Sequence, residues 1–363
     1  MNAFSFGKKF KISVFGSSHG PHVGVEISDC PKGVEINEKE IQLQLDRRKP
    51  GQSSLTSPRK EEDTVVIESG IKNGKTTGSK IRLLIKNNNT RPSDYEKFQK
   101  TPRPGHVDYP AFMKYGKLES GGGFFSGRMT AAFVMAGAVA KKILQVQGIQ
   151  TMAFAKQIGK ISVRQNITET EILQNTYNTP IYTADLQGVQ AMQKEVENAQ
   201  REGDSVGGIV ECRVVGLKAG MGDPMFHSIE SIISQAIFAI PAVKGIEFGS
   251  GFAGAATRGS QNNDAYAING NGKKITTKTN NSGGILGGLS TGMPICFRVA
   301  FKPTSSISKT QETLDMQTGQ KTELKIGGRH DPCIAIRAVP VVENVAAICI
   351  ADILMRSGIK RQK

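Results

Sequence analysis

The sequence predicts an α+β layered fold, and three observations carry that prediction. Strand and helix patterns alternate without the regular βαβ rhythm of a parallel sheet. Two helical segments, 128–144 and 341–355, carry small and apolar residues on nearly every face, so they belong inside the molecule. No stretch rich in Pro or Ser divides the 363 residues, so 1–363 is expected to form a single domain.

The elements follow in order. "FKISVFGSSHG" and "VGVEISDCP" read as two strands joined by a polar turn holding Ser17, Ser18 and His19. Asn37 with Glu40 three residues later forms a capping-box pattern, and Ile41 and Leu45 share one face. The helix they start runs into "DRRKPG", where Pro50 and Gly51 stop it and leave Arg47 and Arg48 in its last turn. Strands are expected at 64–68 and 80–86, then a long loop through "PSDYEKFQKTPRPGHVDY". "GGGFFSG" opens the first apolar helix. Beyond it come a polar helix near 183–201, a strand at 206–215, a helix at 227–240, a Gly-rich region from 245 to 292, and the second apolar helix. Both apolar helices follow an Arg-containing stretch, a likeness compatible with two related halves. The polar loops 87–105 and 270–285 are expected to order when ligands arrive.

The net charge is +15, from 47 Lys and Arg against 32 Asp and Glu, which points to an anionic partner. There is no Trp, aromatics make up only 6%, and the lysines are spread along the chain. A nucleic-acid surface interleaves basic and aromatic residues, so a small polyanion held by arginines beside glycines and histidines fits better. Five dispersed cysteines with no CxxC pair argue against zinc and suggest reduced thiols in the cytoplasm. The longest apolar run, 130–140, is short of the ~20 residues a membrane span needs. The N-terminus has no extended apolar segment of the signal-peptide kind.

Three loops combine His with Gly or Arg: "SSHG" with His19, "RPGHVDY" with Arg103 and His106, and "GGRHDPC" with Arg329, His330 and Asp331. Each alone is more often structural, and three together point to acid–base chemistry. "FKPTSSI" gathers Lys302, Thr304, Ser305 and Ser306 around Pro303, several donors suited to a phosphate or a flavin edge. It lacks Walker spacing, and "NNSGGILGG" is not a dinucleotide fingerprint. "GGGFFSG" reads three ways: an anion loop, a flavin pocket, or a flexible turn.

Taken together, these motifs resemble the chorismate synthase family nearly end to end. "FGSSHG", "DRRKPG", "SPRKEED", "RPGHVDY", "AVKGIEFGSGF", "RGSQNND", "NNSGGILGGLSTG", "FKPTSSI" and "GRHDPCIAIRAVP" occur in the family's order and spacing. The resemblance implies a β-α-β sandwich, with a helical layer between antiparallel sheets, and a homotetramer. It implies anti-1,4-elimination of phosphate and a ring proton from 5-enolpyruvylshikimate 3-phosphate, giving chorismate, with reduced FMN and no net redox change. By position, His19 and His106 are expected to assist at the flavin and the leaving phosphate. Asp331 with Ser18 resembles the pair that takes a proton from flavin N5, so that N5 can take the ring proton. Arg48, Arg128 and Arg329 are expected to hold substrate anions. Flavin contacts are expected from Phe124, Phe125, Ser126, Pro241, Ala242, Gly287, Lys302, Pro303, Thr304, Ser305, Ser306 and Arg329.

The chain departs from the family's pattern in a few places. Phe124 stands where an arginine is usual, Phe125 where a small residue is, Met129 where a glutamate is, and Pro241 where an asparagine is common. Both phenylalanines are expected to pack on the residues near 283–289 or on the flavin. Ser54 stands where Arg or Lys is common at a position assigned to substrate or NADPH. The expectation is therefore an enzyme without its own NADPH-dependent flavin reduction, supplied with reduced FMN by an external reductase. Two other readings remain at this point: a homologue of the same fold with weakened catalysis, and a basic RNA-binding protein.

Overall fold

The computed structural model describes residues 2–57, 61–88, 98–269, 274–328 and 330–357. Arg329 and residues 89–97 of the first polar loop thus lie outside the described residues, as does 270–273 of the second. The remainder of that second loop includes a hairpin, Tyr266–Asn269 against Lys274–Thr277.

The first sheet contains β1 (Ser5–Phe6), β2 (Lys11–Gly16), β3 (His22–Ser28), β4 (Val65–Ser69) and β5 (Ile81–Lys86), in the order β1-β2-β3-β5-β4. The second contains β6 (Gln150–Ile158), β7 (Ile161–Ser162), β8 (Gly208–Val215), β9 (Val243–Phe248) and β10 (Ile295–Phe301), in the order β9-β10-β8-β6-β7. Every pairing in both sheets is antiparallel. The α-helices of seven or more residues are α1 (Glu38–Arg48), α2 (Asp108–Tyr115), α3 (Thr130–Gln145), α4 (Glu169–Asn175), α5 (Val189–Arg201), α6 (Ile229–Ile237) and α7 (Ile334–Arg356).

The two apolar helices, α3 and α7, lie against each other between the sheets: α3 touches β3 and β5, and α7 touches β6 and β8. This is the layered α+β sandwich the sequence predicts. One continuous core runs from Val25 and Leu83 of the first sheet through Met135 and Val342 to Phe154 and Phe297 of the second. Small residues let the helices approach closely. A Cβ on Gly137 would overlap Asn344 of α7, so only glycine fits there. Lys141 of α3 is ion-paired with Glu343 of α7, and Glu343 also accepts from Tyr177 Oη at 2.8 Å and from the Ala153 N–H of β6 at 3.2 Å. Burial pushes the Lys141 pKa down, and that pairing opposes it.

The capping box of α1 is present, with Asn37 Oδ1 accepting from Glu40 N at 3.1 Å. The helix ends at Arg48 before Pro50, as read from sequence. Two sequence readings are corrected. The second apolar helix starts at Ile334 rather than 341 and passes through Pro340, with Asn344 Nδ2 donating to the Pro340 carbonyl at 2.7 Å. At 23 residues and mean hydropathy 1.9 it, not the 130–140 run, is long and apolar enough to cross a membrane by length and composition. It is a core helix, because 94% of its most apolar window is buried within the protein. The long loop through "PRPGHVDY" also ends earlier than expected, in α2.

The N-terminal segment is tied to the far end of α7. Asp352 Oδ1 accepts the backbone N–H groups of Lys8, Lys9 and Phe10 at 2.8, 2.6 and 3.0 Å. Replacing Asp352 by Ala leaves three N–H groups beside a buried helix without their acceptor, one of them on fully buried Phe10. Charge-assisted bonds of this kind contribute ~1.5–3 kcal/mol, so D352A is expected to lower the urea midpoint by an amount equivalent to about 2–3 kcal/mol. An unchanged midpoint would remove this tether from the account of stability.

Candidate active site

A cavity of about 820 Å³ opens where the two central helices begin. Its wall includes Gly127, Arg128 and Thr130 at the start of α3, and Asp331, Ile334 and Arg337 at the start of α7. Two helix N-termini therefore aim their partial positive charge at one space, which favours anions. Among the described residues, six cationic side chains line it, Arg48, Arg103, Arg128, Lys244, Lys302 and Arg337, against two carboxylates, Glu61 and Asp331. One part of the wall is apolar, with Phe124, Phe125, Ile240, Val243 and Phe301.

The triple glycine has a specific task. Gly121, Gly122 and Gly123 all have positive φ, at 64°, 80° and 51°, which other L-residues adopt at a cost. A Cβ on Gly121 would overlap the imidazole of His19, and one on Gly122 would sit 3.9 Å from Cε1 of His106. The turn is thus packed directly against the His19 ring and lies beside that of His106. Ser18 holds its other side: its N–H donates to Gly123 O at 3.3 Å, and its Oγ donates to Gly121 O at 3.1 Å. Ser18 Oγ also lies 3.2 Å from His19 Nδ1.

His106 is gripped from behind. Its Nδ1 lies 2.6 Å from Asp108 Oδ1, and Arg103 Nε donates to Asp108 Oδ2 at 2.7 Å. Burial alone raises the Asp108 pKa, but hydrogen bonds from Arg103 and His106 outweigh it and hold the carboxyl well below its usual range. On the neighbouring loop, Lys302 Nζ and Ser305 Oγ both donate to the Gly105 carbonyl, at 2.5 and 2.7 Å. Burial and nearby Lys244 push the Lys302 pKa down. Ala242, which accepts from Lys302 N at 3.0 Å, has φ of 69°. That left-handed conformation costs a non-glycine residue roughly 1–2 kcal/mol, and such strain concentrates at functional sites.

Arg48 and Arg128 line the cavity and are also engaged with acids of the protein. Arg48 is only 3% exposed, and each of its three guanidinium nitrogens donates to protein: Nη1 to Asp63 at 3.0 Å, Nη2 to Gly127 O at 2.8 Å, and Nε to Thr130 at 3.1 Å. Burial, with Arg337 nearby, pushes its pKa down to about 10. Arg128 pairs with Glu61 and Asp63 and donates to Asn87 Oδ1 at 2.8 Å. Burial raises the Asp63 pKa, but Arg48 and Arg128 lower it further, and the net shift is downward. Arg48 and Arg128 therefore form the floor of the site together with Asp63, already balanced by acids. Asp331 is bonded to Arg337 Nη1 at 2.6 Å and to the Ser57 N–H at 2.7 Å.

Of the residues read from sequence, Ser18, His19, His106, Asp331, Arg48, Arg128, Phe124, Phe125, Ser126, Pro241, Ala242 and the 302–306 stretch all line this one cavity. Gly287 does not; it lies in the hairpin Ile285–Leu286 with Leu289–Ser290, away from the cavity lining of this chain. Arg329 lies outside the described residues. Ser18 and Asp331 share the cavity but are bonded to different partners. Phe124 and Phe125 do not pack as expected on the 283–289 region. Their ring partners are Phe4, Tyr115 and each other, with Phe124 5.4 Å from Phe4, 5.6 Å from Tyr115 and 4.6 Å from Phe125. Sequence reading missed Asp108, Arg337, Glu61 and Asp63 as members of the site. All four stood in quoted motifs: Asp108 in "RPGHVDY", Arg337 in "GRHDPCIAIRAVP", and Glu61 and Asp63 in "SPRKEED".

Fold and cavity describe a cationic site suited to a small anion, with histidines on its wall. The comparisons make the assignment specific. The family described as chorismate synthase matches residues 10–355. Chorismate synthases from Dehalococcoides mccartyi (strain BAV1) and Korarchaeum cryptofilum are 47% and 46% identical to this chain. The matches cover 98% and 97% of it, and 97% of each relative. A structure titled "Crystal Structure of Chorismate Synthase" superposes with a TM-score of 0.77 at 27% identity, covering 97% of this chain and 93% of that one. The chain belongs to the chorismate synthase family, and with it to the lyases of the shikimate pathway.

The packing of His19 on Gly121 gives a direct test. G121A places a methyl group where the imidazole stands and strains a left-handed backbone. Turnover is expected to fall at least ~10²-fold, the scale of a displaced acid–base group, while circular dichroism stays that of the native fold. Wild-type turnover in G121A would show that His19 does not depend on this turn.

Proposed function

We propose that the cavity performs the elimination of its family. Phosphate and a ring proton leave 5-enolpyruvylshikimate 3-phosphate in an anti-1,4 sense, giving chorismate, with reduced FMN as cofactor. The observation that carries this reading is the convergence of His19 and His106 on one glycine turn, beside a cationic cavity at two helix N-termini.

The substrate carries a phosphate and two carboxylates, and the cationic wall supplies charge for all three. Arg337 and Lys302 stand on that wall, and the family resemblance assigns Arg329 to the same anions. Arg48 and Arg128 hold the floor in register through Asp63. The donor set also suits FMN: Lys302, Thr304, Ser305, Ser306 and Ser126 for its polar edge and phosphate, with Phe124, Phe125, Pro241, Ala242 and Pro303 for a flat apolar ring. Reduced FMN supplies redox chemistry that nets to zero over a turnover. His106 and His19 act as the acids at the leaving phosphate and the cofactor. Asp331, with Ser18 on the same wall, is the acceptor that keeps the proton balance of the site. The apolar side chains exclude water, which strengthens each charge contact inside.

The decisive experiment is anaerobic incubation of the protein with reduced FMN and 5-enolpyruvylshikimate 3-phosphate, following chorismate and free phosphate. Equal amounts of both are expected, and H106A is expected to lower the rate roughly 10²–10⁴-fold. Flavin binding without chorismate would refute the assignment. With Ser54 in place of a basic residue, reduced flavin is expected to come from a separate reductase; sustained NADPH oxidation by the protein with FMN in air would contradict this.

The same reading makes the assembly a homotetramer. Met225, Phe226, Phe252, Ile268 and Ile275 are exposed apolar side chains, more than an isolated subunit gains from presenting. Light scattering should give the mass of four chains, and a monomer at micromolar concentration would exclude this assembly.

A further inference from the structure

The contact that most constrains His106 comes from Asp108, two residues along the chain. The two side chains meet at 2.6 Å through Nδ1 and Oδ1, with the imidazole 25% exposed and the carboxylate 5% exposed. Asp108 is itself fixed from three sides by Arg103: Nε to Oδ2 at 2.7 Å, Nη2 to Oδ1 at 2.8 Å, and the backbone N–H to Oδ2 at 3.0 Å. Held this way, the carboxylate is an acceptor with no proton to give, so the proton in the 2.6 Å contact belongs to Nδ1.

Arg103 Nη2 also approaches Nδ1 at 3.0 Å. A guanidinium only donates, and a protonated Nδ1 cannot accept, so the Arg103 hydrogens go to Asp108. Nε2 is then the ring nitrogen left to exchange a proton with a ligand. The other polar and charged groups around the ring come from different elements. Lys302 bonds the Gly105 carbonyl, Ser306 Oγ accepts from Arg103 Nη1 at 3.3 Å, and His19 lies on the same glycine turn.

We infer that Asp108 is a positioning residue for the elimination: clamped by Arg103, its carboxylate fixes the His106 ring in one orientation and in its Nδ1–H tautomer, so that Nε2 faces the reacting molecules. The inference rests on the reading of His106 as an acid–base group and is separable from it by experiment. Two measurements carry the test.

Nitrogen-15 NMR of histidine-labelled protein, with the His106 signals assigned by H106A, reads the tautomer in the unaltered enzyme. A proton on Nδ1, alone or together with one on Nε2, supports the inference, and a ring protonated on Nε2 only overturns it, whatever the variants do. Kinetics supplies the second. D108N is expected to lower kcat roughly 10²–10⁴-fold, with the KM for substrate within about threefold of wild type. Added to H106A, the same substitution should cost nothing further, because its effect passes through the ring. An additive loss in the double variant would reduce Asp108 to a structural partner of Arg103 and refute the inference alone. Wild-type turnover in H106A would instead refute the role of His106, and the inference with it.

Discussion

The close contact of α3 and α7 is the constraint on which the molecule depends. Gly137 against Asn344 sets how near the two helices come, and alanines along both keep the spacing. Each helix then offers an outer face to one antiparallel sheet, so the sandwich forms around a dry pair of helices. The pairing also decides where chemistry can occur. Both helices begin at the same edge of the sandwich, so the segments leading into them, 118–129 and 327–333, meet there with the loop after β10. The buried Lys141–Glu343 pair reinforces the crossing, since leaving either charge alone in that setting would be costly.

Above this frame the site is built in two tiers. The lower tier is a charge-balanced floor in which Asp63 holds Arg48 and Arg128. Asp63 does so from a left-handed backbone at φ 49°, an unusual conformation for a residue other than glycine. The upper tier holds the proton-transfer groups, with the glycine turn beneath the imidazoles and the loop 301–306 facing them. The balance of the floor matters for a basic protein. Without its acids, two more buried positive charges would crowd the site before any ligand entered.

Much of this was legible in the chain. The capping box at Asn37, the stop at Pro50, and the all-round apolar character of α3 and α7 are local signals, and local physics sets them. The motif loops could be gathered because a family resemblance placed them in one cavity. What escaped had a physical reason in each case. β6 is buried along most of its length, with "TMAFA" facing protein on both sides, so it shows no alternation. α2 begins beside Gly105 and contains Pro110, residues that read as loop although Pro fits a first turn. The start of α7 was hidden by Pro340, which reads as a boundary and is carried inside a fully packed helix. The pairing of Asp63 with Arg128, 65 positions apart, depends on the whole sandwich. The aromatic partners of Phe124 likewise come from Phe4 and Tyr115, distant segments that no pattern in "GGGFFSG" points to.

The glycine turn stores information in a way that side chains cannot. Gly121 holds the His19 imidazole by the room left where its own side chain would have been, and Gly122 lies beside His106. Two acid–base groups from separate loops thereby share a single reference surface, and a shift of that surface moves both together. An engineer wishing to retune the distance between the two proton donors would have to redesign one six-residue turn, Ser120–Phe125, rather than either histidine.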